Sequence, residues 1–331
     1  MQLHLKKFTT ILLAGLILTG CGSAPVKLTG NEPLTVKDFV EVDNDFKLTG
    51  IKRVAIPNFF VQFVRDETIE LHGKRLEESY TVQTRGVSDT TLQKVADQLY
   101  ADFVGELKAV GIEVMPIPEM DINADFQTIR KEARKSPTIE EANTGGVKGK
   151  NTKLQGVSIL TSAKGLPINL AQTIDKRWLT PSVGDGFKVA LNRSSGMLSR
   201  TMKIPLLNVR MTISMIAQQG TAYNNSLKFK ADPYPRFVEE GTLITLITDD
   251  DNNKFSLNKP IVIKDINFTG EEGSGASARG AGLFGALGRA IGGSKNMEAD
   301  LYFDIDAENF AARVSARGKE VSHLLVEAMS K

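Results

Sequence analysis

From Leu207 to Gln218 the chain alternates without a break. Leu207, Val209, Met211, Ile213, Met215 and Ala217 fall on one side, and Asn208, Arg210, Thr212, Ser214, Ile216 and Gln218 on the other. A period of two held over twelve residues fits a β-strand, and one this long with an apolar side needs a sheet that buries that side. The polar side is expected to face water. More strand signals follow: Thr242–Thr248, turned by Asp249–Asn253 into Lys254–Leu257, then Ile261–Phe268. Ala299–Asp306 and Phe310–Ala316 read as a hairpin, and a closing helix puts Val321, Leu324, Leu325, Ala328 and Met329 on one face.

The first half mixes the two periods. Arg53–Val64 is rich in β-branched and aromatic residues and reads as a strand, with Pro57 marking an edge or a bulge. Tyr80–Arg85 is a second strand, placed to form a hairpin with the first. Ser88 or Asp89 then caps a helix whose Leu92, Val95, Ala96, Leu99, Tyr100, Phe103, Leu107 and Val110 recur at helical spacing, and Gly111 stops it. Ile112–Met115 is a short strand, and a polar helix covers about Ile122 to Lys135. The Gly-punctuated stretch 136–203 reads as short strands and loops, including Val157–Thr161 and Phe187–Leu191. The expected class is α+β: a mixed or antiparallel sheet carrying an amphipathic helix at about 90–110 and a C-terminal helix, with a long β-rich C-terminal half.

The 331 residues are 41% hydrophobic, enough for a substantial core. A formal charge of +2 gives no reason to expect nucleic acid as a partner. One cysteine rules out an intramolecular disulfide framework and any cysteine-rich zinc site. The three histidines are His4, His72 and His323, with none of the usual zinc spacings and no G-x-S-x-G elbow. Asp249, Asp251 and Asn253 mimic the start of a calcium loop, but Lys254 and Pro260 stand where its Gly and Glu belong, so a hairpin turn is expected. These observations point away from an enzyme, with no catalytic, metal or cofactor-binding residue expected.

Residues 1–20 carry Lys6 and Lys7 before an apolar run, Ile11–Leu18, too short to span a bilayer and proportioned like a secretory signal. The run ends in Leu18-Thr19-Gly20-Cys21, which resembles the bacterial lipoprotein cleavage box. That resemblance implies that residues 1–20 are removed as a signal peptide and that Cys21 takes a diacylglycerol on sulfur and an acyl chain on its new amine. Several acyl chains on one residue anchor a protein stably. Gly22, in place of the Asp that retains such proteins at the inner membrane, implies the outer membrane, with the protein facing the periplasm. Without Lys6 and Lys7 the basic residues fall to 39, equal to the 39 acidic ones, so the mature chain is neutral. Residues 21–50 read as the lipidated Cys and a tether, and 51–331 as the periplasmic α+β domain.

Within that domain the stretch 270–295 is unusual, since nine of the 24 residues from 270 to 293 are Gly and five are Ala. Its centre places Leu283, Phe284, Leu287 and Ile291 on one helical face. Interior glycines each cost a helix about 1 kcal/mol, so this piece needs a partner surface to become helical. It reads either as a flexible insert or as a loop that contacts a membrane or another subunit through those four residues. Gly280-Ala-Gly-Leu-Phe-Gly285 matches G-x-G-x-x-G, but the strand–loop–helix context and later acidic residue of a nucleotide site are missing.

The lipobox at Cys21, the strand with Val54-Ala-Ile-Pro-Asn-Phe59, the helix ending in Gly111-Ile-Glu-Val-Met115 and the late strand, Gly-rich insert and Asp300–Gly318 segment together resemble the curli-secretion-channel (CsgG-like) lipoproteins and their relatives with a TolB-N-like fold. The resemblance covers about half the mature chain. It implies a periplasmic α/β domain on the outer membrane, often in rings, in which channel-forming members insert β-hairpins. Leu207–Gln218 is long enough to cross a bilayer as a strand, but a matching second strand is not evident, so a soluble strand is preferred. The expected function is that of a non-enzymatic, lipid-anchored envelope protein that scaffolds or assembles an outer-membrane or secretion complex, including as a homo-oligomer. The alternative is a tethered periplasmic module that binds peptidoglycan, polysaccharide or a small solute, with Trp178, Tyr223 and Tyr234 as stacking candidates.

Overall fold

Everything in the fold is arranged on the two halves of one 20-residue strand, Arg53–His72. The computed structural model describes residues 33–43, 47–72, 77–144, 152–169, 195–215, 217–223, 226–232, 235–239, 241–248, 252–272 and 296–331. In chain order these begin with α1 (Val36–Phe39), β1 (Val40–Val42), β2 (Arg53–His72), β3 (Glu77–Arg85) and α2 (Asp89–Ala109). There follow β4 (Glu113–Val114), α3 (Ile117–Met120), α4 (Ala124–Glu132), β5 (Thr138–Thr144), β6 (Thr152–Ser162) and a helix over 195–202, α5. The β-rich remainder runs β7 (Leu206–Ser214), β8 (Ala217–Tyr223), β9 (Ser226–Asp232), β10 (Arg236–Phe237), β11 (Leu243–Ile247) and β12 (Asn252–Leu257). It closes with β13 (Ile261–Val262), β14 (Phe268–Glu272), β15 (Asn296–Ile305) and α6 (Ala307–Ser330). The class is α+β with a mixed sheet, as the two sequence periods imply.

The main sheet runs β1-β12-β11-β7-β2-β3-β15-β14. β6 lies on the other side of β2, antiparallel from Phe60 to Leu71, and carries β5 on its outer side. β2 changes neighbour halfway. Up to Val64 it pairs in parallel with β7, and from Asp66 it pairs antiparallel with β3. The register against β6 slips at the same point, between Val64 and Asp66, so Arg65 is the extra residue of a bulge. Pro57 likewise sits inside a register irregularity between Ala55 and Asn58. The bulge reading of that proline holds, and it lies in a central strand.

α2 forms because its apolar residues repeat every three to four positions and both ends are satisfied. The Ser88 hydroxyl accepts from the Thr91 amide at 3.2 Å, and Gly111 turns the chain at φ +83. Its face of Leu92, Val95, Leu99, Phe103 and Leu107 is fully buried. Phe59 of β2 meets Tyr100 edge-on at 5.3 Å and Phe103 at 6.1 Å, while Phe63 meets Phe310 of α6 at 6.5 Å. The two helices pack against one another, and Gly318 sets how closely: a Cβ there would lie 2.0 Å from Leu99 Cδ2.

Three expectations need correction. Phe310–Ala316 is the start of α6, not a strand. The Asp306 carboxylate accepts from the amides of Glu308 and Asn309, both at 3.1 Å, and β15 already has β3 on one side and β14 on the other. No edge is left for a hairpin partner. The stretch read as one twelve-residue strand breaks after Ser214, because β3 takes over β7's place beside β2. β8 leaves the sheet and pairs with β9. The tether expected over 21–50 joins the fold from residue 33 on, where β1 pairs with β12 and Phe39, Val40 and Leu48 are buried. Their apolar side chains gain more by covering the sheet edge than by staying in water.

Candidate functional site

The polar side of β7 was expected to be wet, and it is dry: all nine residues of the strand are buried. Register fixes its neighbours. Asn208, Arg210, Thr212 and Ser214 lie opposite Asn58, Phe60, Gln62 and Val64 of β2, so all eight share one face. Leu160 of β6, opposite Gln62, and Ile168 pack on Phe60 there.

A polar network fills the remainder of this layer. Arg210, 4% exposed, donates from Nη2 to Gln62 Oε1 and from Nε to Thr212 Oγ1 at 3.2 Å. Gln62 Nε2 donates to Ser158 Oγ at 3.0 Å, and Thr212 Oγ1 donates to the Gly241 carbonyl at 2.7 Å. Asn58 and Asn169 clasp one another, the Asn58 amide donating to the Asn169 carbonyl at 2.9 Å and accepting from its N–H at 3.0 Å. Asn208 is the exception. Both of its side-chain polar atoms lack a hydrogen-bond partner, and the residue is fully buried.

Glu67 stands where β7 leaves the sheet. The Ser214 hydroxyl donates to its Oε1 at 3.1 Å, and Arg236 lies opposite Ser214 in the register of β10. Burial pushes the Glu67 carboxyl up to about 7, against the pull of Arg236 and of the Ser214 hydroxyl. The network's chemistry is holding, since Arg210, Gln62, Thr212, Ser158, Ser214 and Glu67 bond one another across β2, β6 and β7, while the Asn208 side chain and Arg236 Nε go unmatched. Nothing in the alternating pattern announced it. Arg210 in the middle of an apolar strand was the available signal, because a charged residue at a strand centre needs interior partners unless that side is wet.

The strand ends define a second feature. Leu71 of β2 sits opposite both Glu78 of β3 and Thr152 of β6. Asn296 opens β15 beside Glu77, and β14 ends at Glu272 opposite Leu301. The connections 73–76, 145–151 and 273–295 therefore all depart from one end of the sheet. The third of these is the Gly-rich stretch; its far root, Asn296, lies beside Glu77, where the 73–76 connection ends, and its near root, Glu272, lies opposite Leu301. Sequence spacing alone could not bring the three together, because β3 and β15 are neighbours in space and more than 200 residues apart in the chain.

Cys21, Leu283, Phe284, Leu287, Ile291, Trp178, Tyr234 and Phe187–Leu191 lie outside the described residues. His72 ends β2, and Tyr223 ends β8. His323, on the exposed side of α6, shares a 2.8 Å contact between Nδ1 and Glu106 Oε2. Of the turn expected at 249–253, Asn252 and Asn253 belong to β12, with Asn253 fully buried in the ladder and not in solvent, and 249–251 lie outside the described residues. Among the described residues no group of three His, Cys, Asp or Glu could hold a metal ion, and no helix is long and apolar enough to cross a membrane. No protein-family model, curated protein or solved structure matches this chain.

Proposed function

We propose that this is a lipid-anchored envelope protein that scaffolds or assembles an outer-membrane complex through the loop-bearing end of its sheet. The observation that carries the reading is the common departure of the connections 73–76, 145–151 and 273–295 from one sheet end, the longest of them rich in Gly with an apolar face. Loops gathered on a rigid sheet are where a scaffold presents its contacts, and small residues let a second surface approach closely. The Cys21 box supplies the membrane attachment, and Leu283, Phe284, Leu287 and Ile291 supply the apolar contact. The resemblance to curli-secretion-channel lipoproteins extends the reading to several copies in a ring.

The test is the mass of the detergent-extracted lipoprotein by light scattering, compared with a variant lacking residues 273–293 and with Cys21→Ser. The full chain is expected to run as a complex, and the deletion as a folded single chain with an unchanged melting profile. Cys21→Ser should leave the membrane fraction. A single-chain mass for the parent, with an unchanged set of crosslinked partners in the deletion, overturns the proposal.

A further inference from the structure

A concavity lies at the opposite end of β6 from its Thr152 turn, and it is chemically unlike the loop-bearing end. It is a cleft of about 480 Å3 between the first turns of α2, the end of α4 with the residues that follow it, and the turn 163–167. Arg130, Arg134, Lys135 and Lys164 line it, and among the described residues no acidic side chain does. In a mature chain with equal numbers of acids and bases, four cations around one cleft are a local feature and not part of a basic surface.

The walls are built before any ligand arrives. Arg130 is committed to the frame: Nη1 pairs with Asp121 at 2.6 Å, and Nη2 donates to the Gly165 carbonyl. Asp97 Oδ1 ties the same turn to α2, accepting from the Lys164 amide at 2.7 Å and from Gln93 Nε2 at 3.0 Å. Gln93 also donates to the Ser162 carbonyl at 2.9 Å, and the Arg134 amide donates to the Ile168 carbonyl at 3.1 Å. Ser136 Oγ accepts from the Ser162 amide at 2.9 Å, which leaves its own proton to donate. Ala163, Leu166 and Pro167 make a buried apolar floor.

The Arg134, Lys135 and Lys164 residues are exposed at the rim around that floor. Partial burial holds the Arg134 guanidinium below its ordinary value. A planar guanidinium, two ammonium groups and a hydroxyl suit the oxygens of a phosphate, and the volume is that of a small-molecule site. We propose that this cleft binds the phosphate ester of a small polar body, either a soluble sugar or glycerol phosphate or the headgroup of an anionic phospholipid. This inference does not rest on the scaffold reading.

The experiment uses the mature chain with Cys21→Ser and two probes at fixed ionic strength. Glycerol 3-phosphate is titrated by calorimetry with glycerol as the blank. Vesicles of about 30% phosphatidylglycerol in phosphatidylcholine are tested by flotation against pure phosphatidylcholine. Saturable binding of glycerol 3-phosphate, weakened at least about tenfold in Lys135→Glu/Lys164→Glu, supports a soluble ligand. Flotation with the anionic vesicles alone, lost in the same variant, supports the headgroup. Both lysines are exposed, so the variant should melt as the parent does; as an independent readout, hydrogen exchange at the amides of 163–166 should slow when the bound probe is added to the parent. Absence of binding to both probes, or binding that the double variant and the exchange pattern do not register, overturns the proposal.

Discussion

The two faces of β7 are buried to the same degree and held by opposite means. On one, Leu207, Val209, Met211 and Ile213 join Phe59, Val61 and Phe63 under α2 and α6, and the stabilisation comes from apolar area removed from water. On the other, Asn208, Arg210, Thr212 and Ser214 are as dry; the cost of the last three is offset by the bonds they make to Gln62, Gly241 and Glu67, and that of the Asn208 side chain is not. The apolar face tolerates any arrangement that fills its volume. The polar face tolerates one arrangement, because a donor moved by an ångström has no substitute inside the protein. The comparison teaches that this sheet obtains stability from one side and register from the other.

Four tests sharpen or break that contrast. Phe63→Ala empties the space between β2 and Phe310 and should lower unfolding free energy by about 3–5 kcal/mol in a urea melt; a loss below about 1 kcal/mol would mean that this face is not the source of stability. Arg210→Ala should cost about 2–4 kcal/mol by stranding Gln62, whereas Arg210→Met combined with Gln62→Leu and Thr212→Val should return most of it. If the triple variant is as weak as the single one, the polar face contributes stability of its own and the contrast fails.

Glu67→Gln tests the carboxyl at the point where β7 departs. With its folded value near 7 and its unfolded value near 4.5, the native protein keeps a proton between those pH values that the unfolded chain has released. Stability from this group is therefore full below about pH 4.5 and falls toward pH 7, by up to about 3 kcal/mol. Urea midpoints at pH 5, 6, 7 and 8 should decline in the parent and flatten in the variant; parallel curves would show that Glu67 is ionised in the fold. The smallest effect is expected at Asn208, whose amide is buried without partners. Asn208→Val should be neutral or stabilising by about 1 kcal/mol, and a clear loss in thermal melting would show that the amide has a partner in solution.

Legibility in the sequence followed how local each signal was. The capped helix Asp89–Ala109 and its Gly111 stop were readable because Ser88, the apolar spacing and the glycine all lie within one stretch of chain. The strands around Val54, Tyr80 and Leu207 were readable for the same reason. Phe310–Ala316 was misread because its choice between strand and helix depends on whether β15 has a free edge, which β3 settles from more than 200 residues away. The Asn208–Ser214 face was misread because alternation reports that one side is apolar and is silent on what covers the other. The cationic cleft was not read at all: Arg130 to Lys135 and Lys164 are separated by a whole hairpin.

By itself the sequence determined the class of the fold, the helix at 89–109, the β-rich second half and the apolar side of β7, all of which depend on neighbours within about twenty residues. Only the tertiary structure decided that β2 changes partner at Val64, that the polar side of β7 is interior, and that three connections leave one end of the sheet while a cationic cleft forms at the other. Those outcomes follow from which strand lies beside which, and strand pairing is set by the competition of distant segments for the same backbone donors and acceptors, a quantity no local pattern encodes.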